Sequence, residues 1–269
     1  MENLEKAMLK IRFAVEKGAH IICLQELFRS RYFCQKEDTE FFNLAESIPG
    51  ESTSALGSLA KELGVVVIAP LFEKRANGIY HNTATIIDAD GSLAGKYRKM
   101  HIPDDPCFYE KFYFTPGDTG FKPIETAYGK VGVLICWDQW FPEAARLCAL
   151  AGAQIIFYPT AIGYQQYDVN IAEKQYSAWQ MVQRSHAIAN GVFVAAVNRV
   201  GQESHIHFWG RSFVCDPFGA LIANLEETEE VLTAVCNLNL IEEIRRSWPF
   251  LRDRRTDSYG DLSKLYLDD

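Results

Sequence analysis

The sequence predicts an α/β protein of four layers, α-β-β-α, in which two mixed sheets pack face to face with helices outside. Three observations carry this. Stretches with apolar residues at helical spacing alternate with short apolar runs of the kind found in sheets covered on both faces. Two pairs of runs flank the turn sequences Asp88-Ala89-Asp90-Gly91 and Asp216-Pro217-Phe218-Gly219, so hairpins interrupt the parallel pattern. Each apolar sheet also needs a helical cover, and two sheets packed together need it only on their outer sides.

The elements follow in order. Asn3 is placed to cap a helix whose apolar positions, Leu4, Ala7, Met8, Ile11, Ala14 and Val15, recur at helical spacing until Gly18. His20–Leu24 reads as a short buried strand ending in Gln25 and Glu26. Ser52–Leu63 reads as a helix and Val65–Pro70 as a strand. Ile79–Ile87 and Ser92–Tyr97 read as a hairpin that leads into Lys99, His101 and Pro103. The run Val131–Ile135 ends on Cys136 and passes through Trp137 and Asp138 into a helical segment. Ile155–Pro159 is a further strand, Ala172–Asn190 the longest helix, closed by Gly191, and Val192–Asn198 the next strand. Phe208–Cys215, Ala220–Asn224 and Val231–Leu238 read as the last strands, and Ile241–Ser247 as a short helix.

At 269 residues and 48% hydrophobic, the chain is long enough for one large core, and no Pro/Gly/Ser-rich linker divides it. The expectation is a single domain over 1–269, with 248–269 as a C-terminal arm. A net charge of −8 argues against a general nucleic-acid or anionic-membrane surface and favours a small-molecule partner. The opening MENLEKAMLKIRF is charged and amphipathic, and no apolar run approaches a bilayer span, so the expected location is cytoplasmic. Seven scattered cysteines without a CxxC pair disfavour a disulfide framework or a zinc knuckle.

Three chemistry-bearing residues stand at or just after strand ends. Cys136 combines a strand terminus with following backbone N–H groups, which suits a thiol nucleophile, although a cysteine at a strand end commonly just fills space. Glu26 reads equally as a catalytic carboxylate or a solvated loop residue. Lys99 reads as a catalytic cation or as part of a solvated edge. Between them, Asp104–Asp118 sets Phe108, Tyr109, Phe112, Tyr113 and Phe114 around Glu110, either as an apolar lining that raises a carboxyl pKa or as a packed loop whose glutamate pairs with a base such as Lys111. A base, a cation and a thiol are the parts needed to hydrolyse an amide-type C–N bond through an acyl-enzyme.

The stretches IICLQELF around Glu26, GKYRKMHIP around Lys99 and GVLICWDQWFPEAAR around Cys136 together resemble the nitrilase, or carbon-nitrogen hydrolase, superfamily, whose hallmark is a Glu-Lys-Cys triad in this order. Within it, DDPCFYEKFYFTPGD, RSHAIANGVFVAAVNRVG, FWGRSFVCDPFG and WPFLRDRR are similar to the N-carbamoylputrescine amidohydrolases. The resemblance implies that Glu26 acts as general base and Cys136 as nucleophile. It also implies that Lys99 and the Trp137 N–H stabilise an oxyanion, and that Glu110 orients substrate and assists proton transfer. Tyr109, Phe108, Tyr164 and Trp209 are candidates for the substrate recess, whose aromatic character favours an amine over a carboxylate. No metal or organic cofactor is implied. Self-association is, with Trp248–Leu262 reaching across a subunit boundary.

Two departures from the resemblance stand out. Relatives begin with a strand of the type VALVQM, whereas this sequence opens within the first helix, so one strand is expected to be missing and its neighbour to carry unpaired backbone groups. Cys107 stands where relatives more often have glycine. The nearest alternatives are a β-ureidopropionase or an N-carbamoyl-amino-acid hydrolase; an alternative from another class is a silent, truncated paralogue that serves as an oligomerising subunit.

Overall fold

The computed structural model describes residues 2–165 and 169–267. Its first sheet contains β1 (Ile21–Cys23), β2 (Val66–Ala76), β3 (Ile79–Ile87) and β4 (Leu93–Arg98) in that order. β1 is parallel to β2, while β2–β3 and β3–β4 are antiparallel. β1, β2 and β4 therefore run the same way, and the segments after β1 and β4 emerge at one end of the sheet.

The second sheet has six strands, ordered β13 (Leu221–Asn224), β12 (Phe213–Cys215), β9 (Phe193–Asn198), β7 (Ile155–Thr160), β6 (Gly129–Val133) and β5 (Ile124–Thr126). Its centre, β6-β7-β9, is parallel and its outer strands are antiparallel. A smaller sheet of β10 (Val200–Glu203), β11 (Ile206–Trp209) and β8 (Gly163–Gln165) lies apart from these two.

Alternation along β2 shows how the layers assemble. Val66 and Ile68 join Ala84, Ile86, Val131 and Val133 in the core between the sheets. Val67, Ala69 and Leu71 point the other way, onto Leu4, Ala7 and Ile11 of α1 (Glu2–Glu16) and Leu56, Leu59 and Ala60 of α2 (Glu51–Leu63). On the far side, α4 (Pro142–Leu150) and α5 (Val169–Asn190) cover the second sheet through Ala144, Ala145, Cys148, Trp179 and Ala187. The four layers are those the sequence predicts. α2 also approaches the β3–β4 turn closely: a Cβ on Gly91 would lie 2.5 Å from the Gly57 carbonyl, and Gly91 has φ +86°.

Four expectations are corrected. Asn3 lies inside α1 rather than capping it, and its amide instead donates to the Arg29 carbonyl at 3.1 Å. Phe208–Cys215 is not one strand, because Gly210 (φ 61°) and Arg211 (φ 51°) both adopt left-handed backbone and divide it between two sheets. The segment after Cys136 is a tight 3-10 turn, Cys136–Trp140, and the α-helix begins only at Pro142. Val231–Leu238 is irregular and forms no ladder with any described strand. Its ends are anchored, Val231 against the cluster under α1 and α2 and Cys236 and Leu238 against the larger cluster around the second sheet, while Val235 between them is 92% exposed. Among the described residues β1 pairs only with β2, so its other edge carries no ladder.

The short helix expected at the end is α6 (Asn239–Ser247). The arm beyond it is irregular, with 3-10 turns at Thr256–Ser258 and Gly260–Ser263; its last residues, Asp268 and Asp269, lie outside the described residues.

Ile68 is fully buried between the sheets, whereas Leu9 is 69% exposed on α1. Ile68→Ala is expected to lower unfolding free energy by about 2–5 kcal/mol and Leu9→Ala by less than about 0.5 kcal/mol, as read by urea unfolding.

Candidate active site

The residue that follows β4 is Lys99, and its backbone is held from two sides: its N–H donates to the Asn82 carbonyl at 2.9 Å, and its carbonyl accepts the Gly117 N–H at 2.8 Å. The side chain is fully buried. Its Nζ donates to Glu26 Oε1 at 2.8 Å and to Glu110 Oε2 at 2.6 Å, and both carboxyl groups are fully buried too. The two glutamates singled out in the sequence therefore meet on one cation. Lys111 is not the partner of Glu110.

Glu26 sits just beyond β1. Besides Lys99, its Oε1 accepts the Asn82 side-chain amide at 2.7 Å, whereas its buried Oε2 has no hydrogen-bond partner among the described residues. The loop that carries it turns through Leu27 at φ 50°. Arg199 holds that loop, its guanidinium donating to the carbonyls of Glu26 (3.0 Å), Leu27 (2.9 Å) and Ser30 (3.2 Å) while pairing with Glu203 at 2.6 Å.

Glu110 opens the single helical turn α3 (Glu110–Tyr113). The Tyr32 hydroxyl donates to its Oε1 at 2.6 Å, so both oxygens are engaged. Burial, reinforced by the charge of Glu26 and opposed by Lys99, pushes its carboxyl up to about 7. Lys99 is held well above its ordinary range: burial works against its charge, but Glu110, Glu26 and Cys136 outweigh it.

Cys136 follows β6 with φ 44°, an uncommon conformation for a residue with a side chain. It is 4% exposed, with Sγ 3.9 Å from the Ala161 carbonyl. Burial and the charge of Glu26 raise its pKa well above the usual thiol range; Lys99 pulls down and Glu110 adds to the rise. The cation thus favours the thiolate, yet burial wins. The resting group is a thiol, so any nucleophilic use of it needs a proton acceptor. The Trp137 N–H meets no acceptor among the described residues, leaving a donor immediately after the sulfur-bearing residue.

The aromatic segment divides. Phe108 stays near the centre, its ring 5.6 Å from that of Tyr32. The Tyr109 N–H donates to the Cys34 carbonyl at 2.9 Å. Tyr113 and Phe114 instead pack with Phe33 and Phe72, and Phe112 is 37% exposed, so the five rings do not jointly enclose Glu110. Tyr164 lies against His207 on the small sheet, and Trp209 packs against Tyr176 and Trp179 with its Nε1 unpartnered among the described residues. Cys107 adopts φ 67°, which suits a position where glycine is common, and its sulfur is 3.6 Å from Gln165 Oε1. Asn82, Tyr32 and Arg199 were not singled out from sequence. The polar run His81-Asn82-Thr83 at the head of an apolar strand was the available signal for the first.

Among the described residues no group of three or more His, Cys, Asp or Glu is arranged to hold a metal ion, and no helix is long and apolar enough to cross a membrane.

The ends of the two face-to-face sheets thus bring two carboxyl groups, an ammonium and a thiol into one buried centre. The family model for carbon-nitrogen hydrolases matches residues 1–246, and the chain belongs to that family. It is 48% identical to an N-carbamoylputrescine amidase of Solanum lycopersicum, over 98% of this chain and 90% of that one. It is 42% identical to a citrullinase of Francisella tularensis, over 98% and 94%. Its fold superposes on the crystal structure of a carbon-nitrogen hydrolase from Helicobacter pylori G27 with a TM-score of 0.96 and 50% identity, over 99% of this chain and 94% of that one.

The raised pKa of Glu110 has a thermodynamic consequence. Between the ordinary value of 4.5 and about 7, the folded protein holds a proton at this site that the unfolded chain releases. The contribution to stability is therefore complete below pH 4.5 and lost as pH rises through about 7. Glu110→Gln is expected to remove that component, so the stability difference between wild type and variant shrinks or reverses from pH 5 to pH 8 by roughly 3 kcal/mol in urea unfolding.

Proposed function

We propose that the chain hydrolyses the ureido C–N bond of N-carbamoylputrescine, yielding putrescine, carbon dioxide and ammonia. The observation that carries the chemistry is the buried Lys99 bridging Glu26 and Glu110, with one oxygen of Glu26 left without a partner among the described residues. The substrate is supported by relatives of 47–48% identity that are N-carbamoylputrescine amidases, among them that of Arabidopsis thaliana.

In this reading Glu26 Oε2 accepts the Cys136 proton as Sγ attacks the ureido carbonyl carbon and the C=O electron pair moves onto oxygen. Lys99 Nζ and the Trp137 N–H stabilise that oxyanion. Collapse of the intermediate breaks the bond to the terminal nitrogen, which takes the proton from Glu26 and leaves as ammonia. The carbonyl carbon, still attached to the putrescine nitrogen, remains on Cys136 as a thioester. Glu26 next deprotonates a water that attacks the thioester; the thiolate leaves and recovers the proton, and the released carbamate loses carbon dioxide. Glu110, held by Tyr32 and Lys99, keeps the cation in place and supplies a group titrating close to neutrality. Phe108, Tyr109, Tyr164 and Trp209 line the approach for the amine-bearing chain.

The arm is the proposed subunit contact: Trp248, Phe250 and Leu262 are 51%, 43% and 68% exposed, more apolar surface than a solvated tail needs. Removing the chain after Arg246 is expected to lower the mass measured by sedimentation; an unchanged mass counts against this contact. A reducing, cytoplasmic setting fits seven cysteines that are all free.

Ammonia release tests the activity directly. N-carbamoylputrescine is expected to be turned over in preference to N-carbamoyl-β-alanine and citrulline, which carry a carboxylate on the distal chain. Cys136→Ala is expected to abolish turnover, and Cys136→Ser to reduce it by several orders of magnitude, because a hydroxyl is a far weaker nucleophile at this site. Preference for either carboxylate substrate would overturn the substrate assignment while leaving the chemistry intact.

A further inference from the structure

We propose that Asp138 is a positioning residue that sets the distance and angle between Cys136 and Lys99 by joining the two chain segments that carry them. The inference rests on the roles given above to those two residues.

Asp138 is fully buried, and each of its carboxyl oxygens accepts two hydrogen bonds. Oδ2 takes the backbone N–H of Ile135 at 2.8 Å and the Tyr97 hydroxyl at 2.7 Å. Oδ1 takes the backbone N–H of His101 at 3.1 Å and the His101 ring at Nδ1, at 2.7 Å. Ile135 immediately precedes Cys136, while Tyr97 and His101 stand two residues before and two after Lys99. One side chain thus ties the nucleophile's turn to both flanks of the cation.

Those flanks are themselves stiff. The Tyr97 hydroxyl also accepts the Met100 N–H at 3.3 Å, which closes the chain around Lys99. The His101 ring is stacked on Phe141 at 3.7 Å and 4°, and lies near-parallel to Phe121 at 5.9 Å. With the ring fixed in its plane, Nδ1 has one direction in which to donate, and that direction is Asp138.

The need for such a tie comes from the architecture. Tyr97 belongs to the first sheet and Ile135 ends the second, and between them the sheets meet through apolar side chains, whose attraction is non-directional. Apolar packing holds the sheets together without fixing the sulfur against the ammonium. Two good hydrogen bonds on each side of one carboxyl do fix it. They also hold the left-handed turn at Cys136, since the Asp138 backbone N–H bonds the Ile135 carbonyl at 3.1 Å while its side chain takes the Ile135 N–H.

An amide cannot replace this group. Asn offers one oxygen, so its NH2 must face either the Ile135 N–H or the His101 N–H, both donors fixed in the backbone. A misplacement of about 1 Å costs on the order of 100-fold in rate, and Asp138→Asn is expected to lower kcat by about that factor while KM changes less than about threefold. Cys136 is faced by Glu26 and Glu110, which oppose its ionisation, and by Lys99, which favours it, so a change in its position against these three groups changes how readily its thiolate forms. The pH profile of its alkylation by iodoacetamide is therefore expected to differ from that of the wild type. Tyr97→Phe and His101→Ala each loosen one flank of Lys99 without touching the Ile135 bond, and are expected to lower kcat by about tenfold with KM unchanged.

A role confined to folding gives a different pattern: fewer sites titrated by iodoacetamide, with wild-type turnover per titrated site and an unmoved alkylation profile. That result for Asp138→Asn, or for both flank variants where Asp138→Asn does not fold, overturns the proposal. Cys136→Ala separates this failure from failure of the underlying reading. If Cys136→Ala keeps turnover, the catalytic assignment falls and the positioning proposal with it. If it is inactive while the Asp138 and flank variants behave as wild type per site, only the positioning role falls.

Discussion

A fully buried ammonium group held between two fully buried carboxyl groups is the constraint on which this molecule depends. Removing one partner from such a set strands a charge in a low-dielectric interior, at a cost of about 3–5 kcal/mol. The chain therefore has to deliver three distant segments to one point: the loop after β1 with Glu26, the end of β4 with Lys99, and the turn α3 with Glu110. The parallel course of β1 and β4 brings the first two to the same end of the sheet, and Asn82, on the strand beside Lys99, supplies an extra donor to Glu26.

Charge then decides how the centre rests. One cation faces two carboxyl groups and a thiol, so not all three acidic groups can lose their protons cheaply. Glu110 is displaced to about 7, and the Cys136 thiol is raised well above its usual range. The sulfur thus rests protonated, and Glu26 keeps one buried oxygen without a partner among the described residues, the arrangement that the proposed first step uses. In the proposed reaction Lys99 Nζ and the Trp137 N–H are the donors that meet negative charge developing after attack.

Much of this was legible in the sequence because it obeys local rules. Short apolar runs marked the strands of both sheets, and Glu26, Lys99 and Cys136 each stood where a strand runs out. Less legible were features that depend on what lies alongside. Nothing local distinguishes Tyr32, Asn82 or Arg199 from residues that merely fill a core or a loop; their roles arise from partners 78, 56 and 173 positions away. Val231–Leu238 has the composition of a strand, but a ladder needs a neighbour, and none of the described strands runs beside it. Phe208–Cys215 fails for a local reason that composition hides: Arg211 joins Gly210 in left-handed backbone. The aromatic segment around Glu110 misled by number, since Tyr113 and Phe114 serve a separate core with Phe33 and Phe72.

The central claim is that Cys136 carries the acyl group through the reaction. Rapid quenching of the enzyme with N-carbamoylputrescine, followed by mass spectrometry of the peptides, tests it most directly. The account predicts an adduct that retains the ureido carbonyl and the putrescine chain, located on Cys136 and decaying at least as fast as turnover. Turnover with no covalent adduct at any quench time, or an adduct confined to another of the seven cysteines, would contradict it.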